Sequence, residues 1–302
     1  MMRGQVKTFL FICFLLPAIA IWGQGCATVS TEDAVNAVKK DPQGAVNAMN
    51  EALNRMEKLQ QGSSPEDDYY LGRAVAANIL AMPDYQAYTA NADLTAYVNK
   101  ICQALVINSS SPSSFNGYHV MLLNSQEYNA FATPGGHIML TKTLVEAAAS
   151  EDALAALIAH ELSHIILRHA AEIIQGVELT SQMGDLANKA LDMSGSSAAQ
   201  RTQALRQLLS PVLDTIVKNG FSQSQEYEAD NKALELLDAA GYDPKGLLDM
   251  LQVLQQVQGS KSGGFNKTHP SPRDRIANVN RSIGKYQANT TQSYRAQRFK
   301  VK

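Results

Sequence analysis

The chain has 302 residues, of which 26 are Lys or Arg and 28 are Asp or Glu, so its formal net charge is −2. A chain of this length can bury a sizeable core, and its balanced charge, without a basic cluster, argues against a nucleic-acid-binding protein. Of its 3 Cys residues only Cys102 lies in the body of the chain, so we expect no internal disulfide.

Residues 1–25 resemble a bacterial targeting segment, because two basic residues precede an apolar run over residues 9–22. Two alternative processing sites are possible. Cleavage after residues 18–20, which read Ala-Ile-Ala, would release a soluble periplasmic protein. Alternatively, Gly25-Cys26-Ala27 resembles the end of a lipobox, although the residue three places before the Cys is Gly rather than the usual Leu. We favour lipidation of Cys26, and therefore expect a periplasmic protein that is lipid-anchored to the outer membrane.

Hydrophobic periodicity and turn residues divide the rest of the chain into three parts. Residues 26–63 read as an N-terminal helical and linker segment, residues 64–288 as one folded domain, and residues 289–302 as a polar C-terminal tail. The pattern predicts an α+β fold dominated by helices around a small sheet. Residues 178–222 read either as a mobile hairpin or as plain structural helices. Predicted helices cover 45–59, 66–80, 93–107 and residues from 144 onward, and predicted strands cover 118–123 and 136–141.

Residues 160–164 read His-Glu-Leu-Ser-His inside an apolar helical run. Residues four apart share a helix face, so His160 and His164 can bind one metal ion. Glu161 is rotated from His160 by roughly 100°, where its carboxylate can reach a metal-bound water without being a ligand. Two imidazoles with an adjacent carboxylate are typical of zinc hydrolases, in which the carboxylate takes the proton of the attacking water. A metal site also gives partners to polar side chains on a buried apolar helix.

Zinc needs a third protein ligand, and the best candidate lies in the predicted helix that follows residue 222. Glu226 and Asp230 are four residues apart and share a face of that helix. Glu226 could bind the metal while Asp230 accepts a hydrogen bond from the second ring nitrogen of His160 or His164. Taken alone, the same pair also fits an acidic helix face that is exposed to solvent.

Four motifs occur in the order that is found in one peptidase family. They are Asn-Ala-Phe-Ala-Thr-Pro-Gly-Gly at 129–136, His-Glu-x-x-His at 160–164, Glu-Tyr-Glu-Ala-Asp at 226–230 and Thr-His-Pro-Ser-Pro-Arg-Asp-Arg at 268–275. With them, the chain resembles the zinc metallopeptidase family that includes the CAAX prenyl protease and the heat-shock protease HtpX. The soluble periplasmic or lipid-anchored bacterial branch, which is chaperone-protease-like, fits best, because the sequence lacks the extra apolar helices of the membrane-spanning members.

The resemblance implies a zincin-like (gluzincin) metallopeptidase domain in which the small β-sheet lies beside the active-site helix. It implies one Zn²⁺ per chain, bound by His160, His164 and Glu226. It further implies that Glu161 is the catalytic base and that Asp230 supports a zinc-binding histidine.

Further roles follow from the same resemblance. It places Asn129 and Ala130 on an edge strand that holds the main chain of the substrate. It places His269 and Arg275 near the zinc, where either side chain could stabilise the oxyanion of the reaction. Two alternatives stay open: His269 could fill the open zinc position of a resting enzyme, and Arg275 could form a salt bridge that orients a carboxylate beside the zinc.

The resemblance and the leader together predict a zinc-dependent endopeptidase of the bacterial cell envelope that cleaves extended segments of misfolded or misassembled proteins. Its expected partners are protein or peptide substrates, the membrane through Cys26, and the envelope assembly machinery, but not nucleic acid. The alternative is a chaperone-like binding and quality-control module whose proteolysis is self-inhibited by His269. The intact Glu161 favours the protease, because a module that only binds would need the metal ligands alone.

Overall fold

The structure is a computed structural model that describes residues 64–176, 220–257, 269–287 and 291–299, together with residue 217. Outside the described residues lie the predicted leader with Cys26, the predicted helix at 45–59 and most of the segment 178–222. Within the described ranges, no helix combines the length and the apolar character needed to cross a membrane.

Helices α1 (Pro65–Leu80) and α2 (Ala92–Ile107) each begin within one residue of the predicted start, because each has a polar N-cap residue. The Ser64 hydroxyl accepts a hydrogen bond from the N–H of Asp67, and the Asp67 carboxylate accepts one from the N–H of Ser64. Asn91 caps α2 through its side-chain oxygen. Such caps satisfy main-chain donors that the first turn of a helix leaves unpaired.

A mixed sheet forms the second layer of the fold. Its strands are β1 (Gln86–Ala87), β2 (His119–Asn124), β3 (Ala130–Thr133) and β4 (His137–Thr141). They lie in the order β1-β2-β4-β3, with β2 parallel to β4 and the other two pairs antiparallel. β3 is therefore an edge strand, and it contacts the helix that carries the His-Glu-x-x-His motif.

A tight turn, Pro134–Gly136, joins β3 to β4 and packs against α1. Gly135 has a φ of 74° and Gly136 a φ of 108°, values that glycine adopts readily and other residues rarely. A Cβ atom on Gly135 would lie 2.2 Å from the Cα of Tyr69, so the main chain of the turn lies directly on α1. The two glycines therefore have a structural role in fixing the edge strand.

The remaining helices of the described residues are α3 (Lys142–Ala147), α4 (Glu151–Ile166), α5 (His169–Gly176), α6 (Gln223–Ala239), α7 (Gly246–Val257), α8 (Pro272–Ser282) and α9 (Gln292–Arg298). The sequence predicts continuous helix from residue 144, but Ser150 caps a new start and separates α3 from α4. Every residue from Glu151 to His164 is buried, as the apolar sequence of α4 requires. α4 packs against α6, α7 and β3, which confirms the predicted helix-dominated α+β fold.

The predicted polar tail contains α9, which is ordered against the start of α4. Arg298 forms a bidentate ion pair with Glu151, and Arg295 Nε lies 2.8 Å from Oδ1 of Asp152. Glu151 also accepts a hydrogen bond of 2.5 Å from the hydroxyl of Tyr97. Carboxylates are favoured in the first turn of a helix. Because Glu151 and Asp152 are buried there, they need positively charged partners, and α9 supplies them.

We expect Arg298→Gln to lower the free energy of unfolding at neutral pH by about 1–2 kcal/mol, because Glu151 loses a charged hydrogen-bond partner. Burial opposes the ionisation of Glu151, but Arg298 and Tyr97 outweigh it and lower the pKa of Glu151. A lowered folded-state pKa adds stability above the unfolded-state pKa, and this stability is lost as the pH falls through the folded-state value.

The difference in urea stability between wild type and Arg298→Gln should therefore shrink below about pH 4. The exposed Arg281 provides the control variant, Arg281→Gln, for which we expect little change at any pH. If the difference in urea stability between wild type and Arg298→Gln stays constant as the pH is lowered, the result would contradict the role of this ion pair.

Candidate metal centre

Helix α4 directs His160 and His164 to one side, where their rings meet. The two Nε2 atoms are 3.1 Å apart, and both side chains are buried. Both atoms can therefore approach a single ion, as the four-residue spacing predicts.

Helix α6 brings Glu226 to the same point. Ser222 caps this helix together with Gln225, and the cap places Glu226 in the first turn. Glu226 Oε2 lies 3.4 Å from Nε2 of His160, and Oε1 lies 3.5 Å from Nε2 of His164. Because Glu226 is fully buried, the alternative of a solvent-exposed acidic face does not hold for this residue.

His269 completes a cluster of four ligand-type side chains. Its Nδ1 lies 2.7 Å from Oε1 of Glu226. One nitrogen or oxygen atom from each of His160, His164, Glu226 and His269 lies within 4.8 Å of the others, and all four residues are buried. Three imidazoles and a carboxylate are ligands that suit zinc.

Glu161 lies beside this cluster and is fully buried. Neither of its carboxylate oxygens has a hydrogen-bond partner among the described residues, although His269 Nε2 is 3.9 Å from Oε1. Burial raises the pKa of Glu161 above its usual value. A buried carboxylate is costly without hydrogen-bond donors, so a water held on a metal ion would supply the missing partner. This requirement, together with the ligand set, fits zinc.

Asp230 and Arg275 lie directly behind the cluster. Asp230 Oδ1 is 3.1 Å from Nδ1 of His160, the second ring nitrogen of that histidine. The Arg275 Nε donates to Oδ2 of Asp230 at 2.9 Å, and Nη1 lies 3.2 Å from Oε2 of Glu226. Burial disfavours the ionised form of Asp230, but the charge of Arg275 outweighs it and lowers the pKa of Asp230. Arg275 therefore has the geometry of the salt-bridge alternative.

Two aromatic side chains that contact the cluster are not predicted from the sequence. Phe221 stacks on the imidazole of His164, with ring centroids 3.9 Å apart and planes inclined by 17°. His169 Nδ1 lies 2.9 Å from Nδ1 of His164. Helical periodicity could not link these two histidines, because residues five apart do not share a face. The sequence offers one signal, the polar pair Arg168-His169 directly after the apolar run.

Asn129 and Ala130 lie at the start of edge strand β3, and each is 1% exposed. The Asn129 amide donates to the Tyr85 hydroxyl at 3.0 Å, and its oxygen accepts from the N–H of Ala130 at 2.9 Å. The main-chain oxygen of Asn129 accepts from the N–H of Thr141. The side chain of Asn129 therefore supports the strand, and a contact of either residue with substrate stays a prediction.

The sequence pattern of peptidase family M48 matches residues 92–283, which contain the whole metal cluster. The chain belongs to peptidase family M48. The predicted resemblance is confirmed, and with it the zincin-like fold, zinc as the metal and the assignment to the zinc metallopeptidases. The domain boundaries and the roles of individual site residues stay predictions.

Several other proteins are similar to this chain. Beta-barrel assembly-enhancing protease of Escherichia coli (strain K12) is 30% identical over 191 residues, which cover 62% of this chain and 38% of the relative. Mitochondrial metalloendopeptidase OMA1 of Schizosaccharomyces pombe is 30% identical over 187 residues, or 61% of this chain and 52% of the relative. Metalloprotease LoiP of Escherichia coli (strain K12) is 26% identical over 192 residues, which cover 63% of this chain and 71% of the relative. The chain thus spans less than two thirds of the length of the first two relatives.

Proposed function

We propose that this chain is a zinc-dependent endopeptidase of the bacterial cell envelope that cleaves extended segments of misfolded or misassembled proteins. The observation that carries the proposal is Glu161, a buried carboxylate without a hydrogen-bond partner among the described residues, beside four residues that can hold a metal ion. Membership of the M48 family supports the peptidase reaction. A relative named for enhancing beta-barrel assembly supports a role beside the envelope assembly machinery.

In the proposed reaction, His160, His164 and Glu226 hold the zinc. Zinc, when bound there, lowers the pKa of a water molecule and polarises the scissile carbonyl. Glu161 accepts the proton of the attacking water and then delivers it to the leaving amine. Burial raises the pKa of Glu161, which favours uptake of a proton by its carboxylate.

Asp230 and Arg275 act through the ligands in this mechanism. Asp230 Oδ1 lies 3.1 Å from Nδ1 of His160, and Nη2 of Arg275 lies 3.0 Å from the same nitrogen. In this mechanism the Nδ1 proton is held against Asp230, which leaves Nε2 of that ring for the metal. Arg275 bridges Asp230 and Glu226 and holds both carboxylates ionised and oriented. We therefore assign Arg275 as a positioning residue and not as the oxyanion donor.

The substrate would bind along β3 as an added strand. The bond from the N–H of Thr141 to the oxygen of Asn129 makes these two residues a hydrogen-bonded pair of the ladder. Bonded and non-bonded pairs alternate in an antiparallel ladder, so the main-chain groups of Ala130 and Ala132 point away from β4, although both residues are at most 2% exposed in this structure. Ala132 also lines a small cavity that His164 borders. This arrangement supports an extended substrate that pairs with the Ala130 carbonyl and the Ala132 main chain, while Asn129 holds the strand.

Digestion of a peptide library by the zinc-loaded full chain tests the proposed function, with products identified by mass spectrometry. We expect the wild type to cleave unstructured peptides and casein, and to cleave a stably folded protein far more slowly. Peptides that bind to the wild type and remain intact would favour the chaperone-like alternative instead.

One observation favours the alternative of self-inhibited proteolysis, namely that His269 lies inside the metal cluster. Its Nδ1 contacts Glu226, and its side chain is 5% or less exposed. Neutral imidazole is a good zinc ligand. An imidazole in the fourth coordination position would leave little room for the catalytic water, and basal activity would then be low.

We expect His269→Ala to raise the basal peptidase rate, because the variant opens that position to water. If His269 were instead an oxyanion donor, the same change should lower kcat by about 10²–10³-fold. Initial rates at saturating zinc separate the two roles. His119→Ala, which alters a histidine that hydrogen-bonds Asn116 outside the cluster, is the control. A fall in the rate of His269→Ala rejects self-inhibition.

We also propose that the protein is periplasmic and lipid-anchored through Cys26, on the basis of the apolar leader and Gly-Cys-Ala at residues 25–27. Cys26→Ser should abolish labelling by a clickable palmitate and move the protein out of the membrane fraction, whereas Cys102→Ser should change neither. A wild type without label would favour cleavage after Ala20 and a soluble periplasmic protein.

A further inference from the structure

The two histidines of α4 differ in the group that holds their second ring nitrogen. Asp230 Oδ1 lies 3.1 Å from Nδ1 of His160, whereas Nδ1 of His164 lies 2.9 Å from Nδ1 of His169. A metal-binding histidine needs a partner at this atom, because that hydrogen bond sets its tautomer and its ring orientation. His169 is 1% exposed. It lies beside Nδ1 of His164 in the same way that Asp230 lies beside Nδ1 of His160.

The tautomers define a direction for these hydrogen bonds. When His164 presents Nε2 to the metal, its Nδ1 carries the proton and donates it to Nδ1 of His169. The neutral ring of His169 then carries its own proton on Nε2. That atom lies 3.5 Å from Oε2 of Glu228, whose side chain is 64% exposed and can rotate closer. His169 Nε2 makes no hydrogen bond among the described residues, so the carboxylate of Glu228 is the acceptor nearest to hand for its proton.

The turn between α4 and α5 brings His169 to His164. α4 ends at Ile166, and Arg168 has a φ of 61°, a left-handed conformation that is uncommon for any residue except glycine. The Arg168 guanidinium anchors the turn to α1 through Asp68, with 2.9 Å between Nη2 and Oδ2. Continued helix would carry His169 to another face, so this strained turn is what places it. Backbone strain beside a functional site points to a role for the group that it positions.

We propose that His169 and Glu228 form a relay that orients His164 for zinc, in which a hydrogen bond joins the two imidazole rings and Glu228 lies beside the far nitrogen of His169. The relay rests on the proposed zinc peptidase and adds two positioning residues to it, neither of which touches the metal or the substrate. The buried His169 contributes most of the effect, because the exposed Glu228 interacts through a contact that solvent screens.

Zinc affinity of the full chain, measured by competition with a chelating dye, tests the relay. His169→Ala should weaken zinc binding by about 10–100-fold. His169→Asn should restore most of the affinity, because its Oδ1 can accept the same hydrogen bond from His164. Glu228→Gln should weaken binding by about twofold to fivefold. Glu235→Gln alters a residue of the same helix that is 57% exposed, and should leave the affinity unchanged.

The cobalt(II)-substituted protein gives a second measurement, because its visible absorption reports the geometry of the ligands. The bands should shift in His169→Ala and return in His169→Asn. The relay is rejected if His169→Ala binds zinc as tightly as the wild type. It is also rejected if the Ala and Asn variants lose equal affinity, since packing rather than hydrogen bonding would then explain the loss. Failure of the proposed function would differ from both, because the wild type would bind zinc and cleave no peptide.

Discussion

Replacing Glu161 with Gln should give a folded protein that binds zinc and does not cleave peptides. Gln keeps the shape of the side chain and leaves the cluster of His160, His164 and Glu226 intact, but it cannot take up a proton at neutral pH. A positioned general base contributes about 10²–10⁴-fold to a rate. We expect the upper part of this range, because Glu161 is fully buried beside the metal cluster.

The test is to compare casein cleavage and zinc content of the Glu161→Gln variant with those of the wild type. Glu146→Gln is the matched control, because Glu146 lies on the surface helix α3, where its side chain is 37% exposed. Casein cleavage by Glu161→Gln at a rate near that of the wild type would contradict the role of Glu161 as the base.

The second large effect is expected at the third ligand. Glu226→Ala should weaken zinc binding by more than about 100-fold, the upper end of what residues behind the ligands contribute. The variant removes the carboxylate whose oxygens lie 3.4 Å from His160 Nε2 and 3.5 Å from His164 Nε2. It also removes one of the two carboxylates that Arg275 contacts, so some loss of thermal stability should accompany the loss of metal.

Zinc content after exhaustive dialysis measures this effect, and circular dichroism checks that the variant is folded. Glu226→Gln, which keeps the volume of the side chain, separates loss of the ligand from loss of packing. Glu235→Ala is the control for an exposed carboxylate on the same helix. Equal retention of zinc by the Glu226 and Glu235 variants would show that Glu226 is not a ligand.

Much of the metal centre could be predicted from the sequence because its parts lie on regular helices. A spacing of four residues fixes a shared face, so the pairs His160–His164 and Glu226–Asp230 could be read directly. Helix starts could be placed within one residue where a capping side chain marks them, as Ser64 does for α1.

The parts that could not be predicted depend on contacts between distant segments or on an irregular turn. His169 reaches His164 only because Arg168 adopts a left-handed conformation, which nothing in the hydrophobic pattern indicates. The amide of Asn129 meets the hydroxyl of Tyr85 from 44 residues away, a contact that follows from the order of the strands and not from local sequence. For the same reason, the ordered packing of α9 against α4 could not be derived from its polar composition.

Anomalous diffraction at the zinc absorption edge, from crystals of the full chain grown with zinc, tests the metal centre most directly. We predict a single strong peak, at about 2.0–2.2 Å from Nε2 of His160, from Nε2 of His164 and from a carboxylate oxygen of Glu226. The absence of a peak at this cluster, or a zinc ion bound by a set of ligands that lacks these three residues, would contradict the assignment.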